Sequence, residues 1–497
     1  MQKSKLLLNS VAAIGQVLVV GILYFVLYRY LLDTIGIELL GVWSLIIAST
    51  SLALLANFGI STSIVKFVST YFTRKDFDSL NKLIFTSSVF IVVTYSLISV
   101  LILFLGGIIL PHFIEKKYID IAIEILPYSL ISLIINALGG VISSCLDGIQ
   151  KNYVKSYIVS FSTLLLFILS LILTPKFGLK GLIFAQIIQA ILVLVVSLYQ
   201  LSKTIPGILA LHWNWSSILF KEIINYGLKM QALSFMQMSF EPITKALLSK
   251  FGGLASVGYY EMASRLVTQL RGLIVSANQV IVPVVAEAKE KDENQIKELY
   301  IKTFSLILFF NVLLITGILI FIPAVSYLWI GKLVPFFIFA AVLNSLTAFV
   351  NICSNPAYFS YLGEGKLNWL IYSYLAITLI NPILGYLLGS KYGAYGVVIA
   401  WNISFTIGSL LVLFSYHLLN KIKWKTIVSI QDVYFISVAI VNAFVGYELM
   451  GDICKNQFNW MLTLVFGVSI ILFAIVIFKN QKIQVLTEKI FKKKSDV

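Results

Sequence analysis

The sequence is short of the residues that most catalytic chemistry requires. It holds 3 histidines and 3 cysteines in 497 residues, and only 12% of its residues are charged. That is about half the charged share of an ordinary soluble domain. His112, His212 and His417 are too scattered to read as a metal cluster. Cys145, Cys353 and Cys454 show no CxxC or paired spacing, which argues against a zinc site or a disulfide framework. G-x-S-x-G, H-E-x-x-H, P-loop and dinucleotide glycine signatures are all missing. The chain is therefore not read as an enzyme, and no cofactor, metal or internal ATP drive is expected. Acidic residues are scarce as well: 22 Asp and Glu stand against 37 Lys and Arg, a net charge of +15. Such a charge can indicate nucleic acid. Here the basic residues sit at the ends of apolar runs and in short loops, where anionic lipid headgroups would meet them. Membrane lipids are the expected partners; nucleic acid is not.

What the chain has in abundance is apolar length. Hydrophobic residues make up 59% of it, and its mean hydropathy is +0.95. Spans are placed near 7–30, 42–64, 83–108, 121–145, 156–174, 181–202, 223–248, 257–284, 303–324, 334–358, 368–389, 395–417, 432–451 and 459–478. Runs of this length cross a hydrocarbon core of about 30 Å as helices, and they are about twice the length of a barrel strand. The expected fold is thus an all-α polytopic membrane protein of about 14 transmembrane helices. The first apolar run is long for a signal peptide and is read as a retained helix. Outward loops hold only 8 of the 37 Lys and Arg, which favours both termini in the cytoplasm of a cell inner membrane.

An internal repeat emerges when the halves are overlaid. Lys176-Phe177-Gly178-Leu179-Lys180-Gly181 matches Lys391-Tyr392-Gly393-Ala394-Tyr395-Gly396 at an offset of 215. Leu40-Gly41-Val42-Trp43 matches Val257-Gly258-Tyr259-Tyr260 at 217, and Asn152-Tyr153 matches Asn368-Trp369 at 216. An even number of spans per copy gives parallel repeats, the arrangement of transporters with a path between two lobes. The expected organisation is an N-lobe over 1–202, an interfacial linker over 203–222 and a C-lobe over 223–417. Two further spans and a basic cytoplasmic tail occupy 418–497.

Polar groups inside the spans carry the functional expectations. A charged side chain at the bilayer centre costs roughly 2.5–3.5 kcal/mol even on the lenient insertion scale. Those that occur should face a cavity or one another. In span eight, Glu261, Arg265, Thr268, Gln269, Gly272, Ser276 and Gln279 share one helix face, with Arg271 off it but deep. In span seven, Gln231, Ser234, Gln237, Glu241, Lys245 and Ser249 do the same, with Glu241 directly before Pro242. Each stripe reads either as a cavity lining or as internal ion pairing, Glu261 with Arg265 and Glu241 with Lys245. Glu241 and Glu261 are the candidates for binding a coupling ion or proton. Arg29 and Lys66 lie nearer span ends, where they can snorkel to headgroups.

With Leu40-Gly41-Val42-Trp43-Ser44, Asn57-Phe58-Gly59-Ile60, Tyr71-Phe72-Thr73-Arg74-Lys75 and Tyr361-Leu362-Gly363-Glu364-Gly365-Lys366 in this layout, the chain resembles a known family. It is similar to the polysaccharide and O-antigen flippases of the multidrug/oligosaccharidyl-lipid/polysaccharide exporter superfamily. The resemblance implies alternating-access transfer of an undecaprenyl-pyrophosphate-linked oligosaccharide to the outer leaflet, with or without an ion gradient. It also implies a cationic substrate site, to which Arg265, Arg271, Lys245, Gln269, Lys66 and Arg29 are assigned. Related lipid-precursor flippases supply deep arginines from the first two spans, where this chain offers only Arg29 and Lys66. A glycan polymerase or another export-pathway protein is the expected protein partner. The alternative is a drug exporter of the same superfamily, whose cationic substrates call for acidic cavity residues. A membrane-embedded glycan polymerase or ligase would need a long outer loop, which the chain lacks.

Overall fold

The computed structural model describes residues 2–51, 60–208, 214–278, 293–457 and 459–479, with the side chains of a few residues inside those ranges left out. Among the described residues every long element is helical. In chain order these are α1 (Gln2–Ile35), α2 (Ile37–Ser51), α3 (Ile60–Thr73), α4 (Phe77–Ile109), α5 (Lys116–Gly148), α6 (Asn152–Phe177) and α7 (Leu179–Ser202). They continue as α8 (Ser217–Asn278), α9 (Glu293–Val325), α10 (Pro335–Glu364), α11 (Asn368–Leu419), α12 (Ile430–Cys454) and α13 (Trp460–Lys479). Helix is what apolar surroundings demand, because each backbone N–H must find its carbonyl within the segment. Buried hydroxyls follow the same rule. Ser170, Ser345 and Ser404 each donate to the carbonyl four residues back, at 2.7 Å.

By length and composition 10 of these helices are fit to cross a membrane, so the chain is an all-α polytopic membrane protein. Two helices are too long for a single crossing. The 62 residues of α8 and the 52 of α11 would extend about 93 and 78 Å if straight. Each is broken by one non-helical glycine, Gly253 in α8 and Gly393 in α11. The span expected at 42–64 includes residues 52–59, which lie outside the described residues. So do His212, Trp213, Gln279 and the basic tail after Lys479.

Packing divides the chain into two compact units, Met1–Glu261 with Thr378–Val397, and Met262–Ile377 with Val398–Val497. The core of the first unit gathers Ile64, Val68, Leu83, Ile84, Val141, Leu146 and Leu201 from α3, α4, α5 and α7. In the second, α12 packs on α9 and α13. Phe435 stacks between Phe309 and Phe473 at centroid distances of 5.0 and 5.4 Å. Asn442 and Ser469 join α12 to α13 reciprocally: the amide donates to the Ser469 carbonyl at 2.9 Å, and the hydroxyl donates back at 3.0 Å. Leu97, Val100, Leu101 and Phe104 of α4 remain exposed. A lipid solvent accepts such a surface.

The repeat read in the sequence recurs in the backbone. Gly178, between α6 and α7, has φ 57° and ψ −137°; Gly393, 215 residues on, has φ 60° and ψ −142°. Each reverses the chain, and three residues later a second glycine is pressed onto the returning helix. A Cβ on Gly181 would lie 2.2 Å from the Leu173 carbonyl oxygen, and one on Gly396 would lie 2.1 Å from that of Leu388. Backbone cannot yield as a side-chain tip can. Gly396→Ala is therefore expected to cost at least about 1–3 kcal/mol, read as a lower melting temperature of the detergent-solubilised protein. Gly317→Ala, where a Cβ meets nothing within 4 Å, should stay within about 0.5 kcal/mol of the parent.

Candidate functional site

In the first unit the turn at Gly253 brings the two halves of α8 back together. Lys245 on one half and Glu261 on the other meet at 2.6 Å, with side chains 2% and 3% exposed. Lys245 also pairs with Glu241 one turn earlier, whose side chain is 59% exposed. Glu261 accepts from Tyr28 Oη at 2.6 Å and from Ser44 Oγ at 3.0 Å. The buried carboxylate thus has an ammonium and two hydroxyls on its oxygens, and the buried ammonium has two carboxylates.

The partners are not arbitrary. Lys245 lies 217 residues after Tyr28, and Glu261 lies 217 after Ser44, the offset of the repeat. The neighbouring backbone is paired reciprocally: Gly41 abuts the Leu254 carbonyl and Gly258 abuts that of Ile37, again 217 apart. Contacts of this kind, residue i with the repeat mate of j and the reverse, define a pseudo-two-fold relation. The charged cluster sits on it, one copy supplying hydroxyls and the other charges.

In the second unit, α8 continues with Ser264, Val267, Thr268 and Arg271 along one face. With Asn344, Thr347 and Ala348 of α10 and Trp401, Asn402 and Phe405 of α11, these residues line a cavity of about 90 Å³. Arg271 Nε donates to Asn351 Oδ1 at 2.8 Å, and Asn351 Nδ2 donates in turn to Ser409 Oγ at 3.0 Å. The guanidinium lies 6.0 Å from the centre of the Phe405 ring, within cation–π range. Among the described residues no carboxylate pairs with Arg271. A guanidinium has five N–H donors, and among the described residues the Nε one is bonded, to Asn351. Such a group suits an oxyanion.

The remaining candidates are dispersed. Arg29 pairs with Asp33 at 3.0 Å on a half-exposed face of α1. Lys66 is exposed, 5.5 Å from the Phe67 ring. Arg265 is exposed and Gln269 half-buried, and neither lines the Arg271 cavity. The face that does line it is offset from the polar stripe read in span eight; Thr268 belongs to both. Ser249 of the span-seven stripe donates to the Phe113 carbonyl. The side chains of Gln231, Ser234, Gln237 and Ser276 lie outside the described residues. Sequence reasoning missed Tyr28 and Ser44, although the offset of 217 applied to Lys245 and Glu261 finds both. It also missed Asn344, Asn351, Asn402 and Ser409, neutral residues with no distinctive spacing.

The family model described as "Polysaccharide biosynthesis protein" matches residues 35–332. The chain belongs to that family. No curated protein sequence matches this polysaccharide biosynthesis protein, but solved structures do. The lipid II flippase MurJ in an inward closed conformation is similar with a TM-score of 0.75 and 17% identity, over 96% of this chain and 100% of that one. An inward-facing multidrug resistance MATE transporter of the MOP superfamily gives 0.68 at 16% identity, over 81% and 96%. A MOP superfamily transporter from Pyrococcus furiosus, described as having a binding pocket of reverse polarity, gives 0.62 at 16%, over 84% and 96%. At such identities the likeness concerns the fold. This member of the polysaccharide biosynthesis family has the fold of MOP superfamily transporters.

Proposed function

We propose that this protein is a flippase carrying an undecaprenyl-pyrophosphate-linked oligosaccharide from the inner to the outer leaflet of the cytoplasmic membrane. It works by alternating access, with both termini in the cytoplasm. Family membership and the fold shared with a lipid II flippase support the reading. The observation that carries it is Arg271: a guanidinium without a carboxylate partner among the described residues, in a cavity of amides, hydroxyls and aromatic rings. An anionic group of the substrate matches the guanidinium. Glycan polymerases and other export-pathway proteins are the partners this role calls for.

A drug exporter of the same superfamily fits less well. Its cationic substrates call for acidic groups, and among the described residues no Asp or Glu lines the Arg271 cavity. The test is a cell whose surface glycan depends on this chain. Depletion should leave lipid-linked oligosaccharide accumulating on the cytoplasmic side while its synthesis continues. Unchanged surface glycan on depletion would contradict the role.

Ion coupling is assigned to the Glu241–Lys245–Glu261 cluster, with Glu241 as the accessible carboxylate. Glu241→Gln is expected to reduce gradient-driven transport about tenfold, a change of about 1.4 kcal/mol in the barrier, with little loss of folded protein because the buried Lys245 ammonium keeps Glu261 as its carboxylate partner. Transport with its gradient dependence intact would make Glu241 structural.

A further inference from the structure

A different cavity of the second unit runs along α12. Both α10 and α12 pack on α9, and a groove of about 850 Å³ lies among the three helices. Leu319 and Pro323 of α9, Phe339 and Val342 of α10, and Ile440 and Phe444 of α12 give it an apolar lining. Ile440 and Phe444 are 63% and 68% exposed among the described residues. Such a surface takes hydrocarbon rather than sugar or ion.

Toward the C-terminal end of α12 the lining changes character. Glu448 and Lys455 both line the groove, both are exposed, and among the described residues neither has an ion-pair partner. They lie two turns apart, about 10 Å along the axis, a gap that the flexible lysine stem can shorten. Two unpaired charges of opposite sign beside an apolar groove complement a ligand that carries an anion and a cation above a hydrocarbon body. A purely anionic head would meet repulsion from Glu448. A quaternary ammonium would bring a cation but no N–H for the carboxylate to accept.

Length narrows the occupant further. The lining follows α12 from Ile440 to Lys455, about 22 Å of helix rise. One leaflet, half of a bilayer of about 40–45 Å with its headgroups, has the same depth. We propose that the groove holds one membrane phospholipid with a primary ammonium headgroup, its phosphate on Lys455, its ammonium on Glu448 and its acyl chains against α9, α10 and α12. The lipid fills the space that α12 leaves beside α10 and so fastens α12 to the rest of its unit. The site is separate from the transported substrate, whose pyrophosphate head is wholly anionic and whose polyprenyl chain is longer than one leaflet. It therefore stands independently of the flippase reading.

Native mass spectrometry of the delipidated full-length protein in detergent tests the site, with dioleoyl phosphatidylethanolamine, phosphatidylcholine and phosphatidylglycerol as probes. One phosphatidylethanolamine should be retained at least about tenfold more tightly than either of the others, the worth of a charge-assisted hydrogen bond. Glu448→Gln should remove that preference, and Lys455→Gln should weaken retention of all three lipids. Both side chains are exposed, so the variants should keep the fold of the parent. Equal retention of the three lipids, retention of none, or a Glu448→Gln protein that still prefers phosphatidylethanolamine would each overturn the site. Displacement of the phospholipid by undecaprenyl phosphate at equal concentration would also overturn it, by giving the groove to the substrate.

Discussion

Arg271→Gln is expected to lower glycan export about 10- to 150-fold at unchanged abundance in the membrane. The range corresponds to the roughly 1.5–3 kcal/mol of a hydrogen bond to a charged group. Glutamine keeps a donor for Asn351 Oδ1, which Arg271 Nε now bonds at 2.8 Å, so the Asn351–Ser409 chain can persist. What the substitution removes is the positive charge and the fork of terminal donors. Arg271→Lys should recover only part of the activity, since an ammonium retains the charge but cannot bond an oxyanion in bidentate fashion. A simple packing role predicts the reverse, with both variants failing together with the fold. The measurement is surface glycan per unit of membrane-inserted protein, and full export by Arg271→Gln would exclude the residue from the substrate path.

Lys245→Met should have the larger effect on stability, about 3–5 kcal/mol, because it leaves the Glu261 carboxylate buried without its cation. Tyr28 and Ser44 would still donate to Glu261 at 2.6 and 3.0 Å, but hydroxyls do not cancel a charge. The double variant Lys245→Met with Glu261→Gln should recover much of the loss. The amide oxygen still accepts a hydroxyl, and no uncompensated charge remains. Thermal unfolding of the four proteins in one detergent gives the coupling energy directly. Additive effects of the two substitutions would mean that the ion pair does not hold this cluster together.

Lys245 and Glu261 also show which parts of the molecule were legible from the sequence. Apolar run length revealed the helical membrane fold, because hydrocarbon leaves a backbone few alternatives. The Gly178 and Gly393 motifs revealed the repeat, because a chain reversal at positive φ followed by a backbone-to-backbone approach admits glycine almost alone. Charge within the spans drew attention to Lys245, Glu241, Glu261 and Arg271. Its periodicity suggested partners three or four residues away, and Lys245 does pair with Glu241 in that way. The contact between Lys245 and Glu261 crosses the Gly253 turn, where helical periodicity no longer applies. Arg29, expected to serve a substrate, has a local partner in Asp33. The amides around Arg271 gave no signal, since asparagines in long apolar helices match no motif and only the fold brings 344, 351 and 402 near 271.

Reconstituted proteoliposomes carrying a lipid-linked oligosaccharide test the central claim most directly. The readout is the fraction of glycan that becomes accessible to an external glycosidase. The parent protein should convert an initially protected pool at a rate far above that of empty vesicles, and Arg271→Gln at equal incorporation should do so at least about tenfold more slowly. A parent rate no different from that of empty vesicles, with and without an imposed ion gradient, would contradict the assignment.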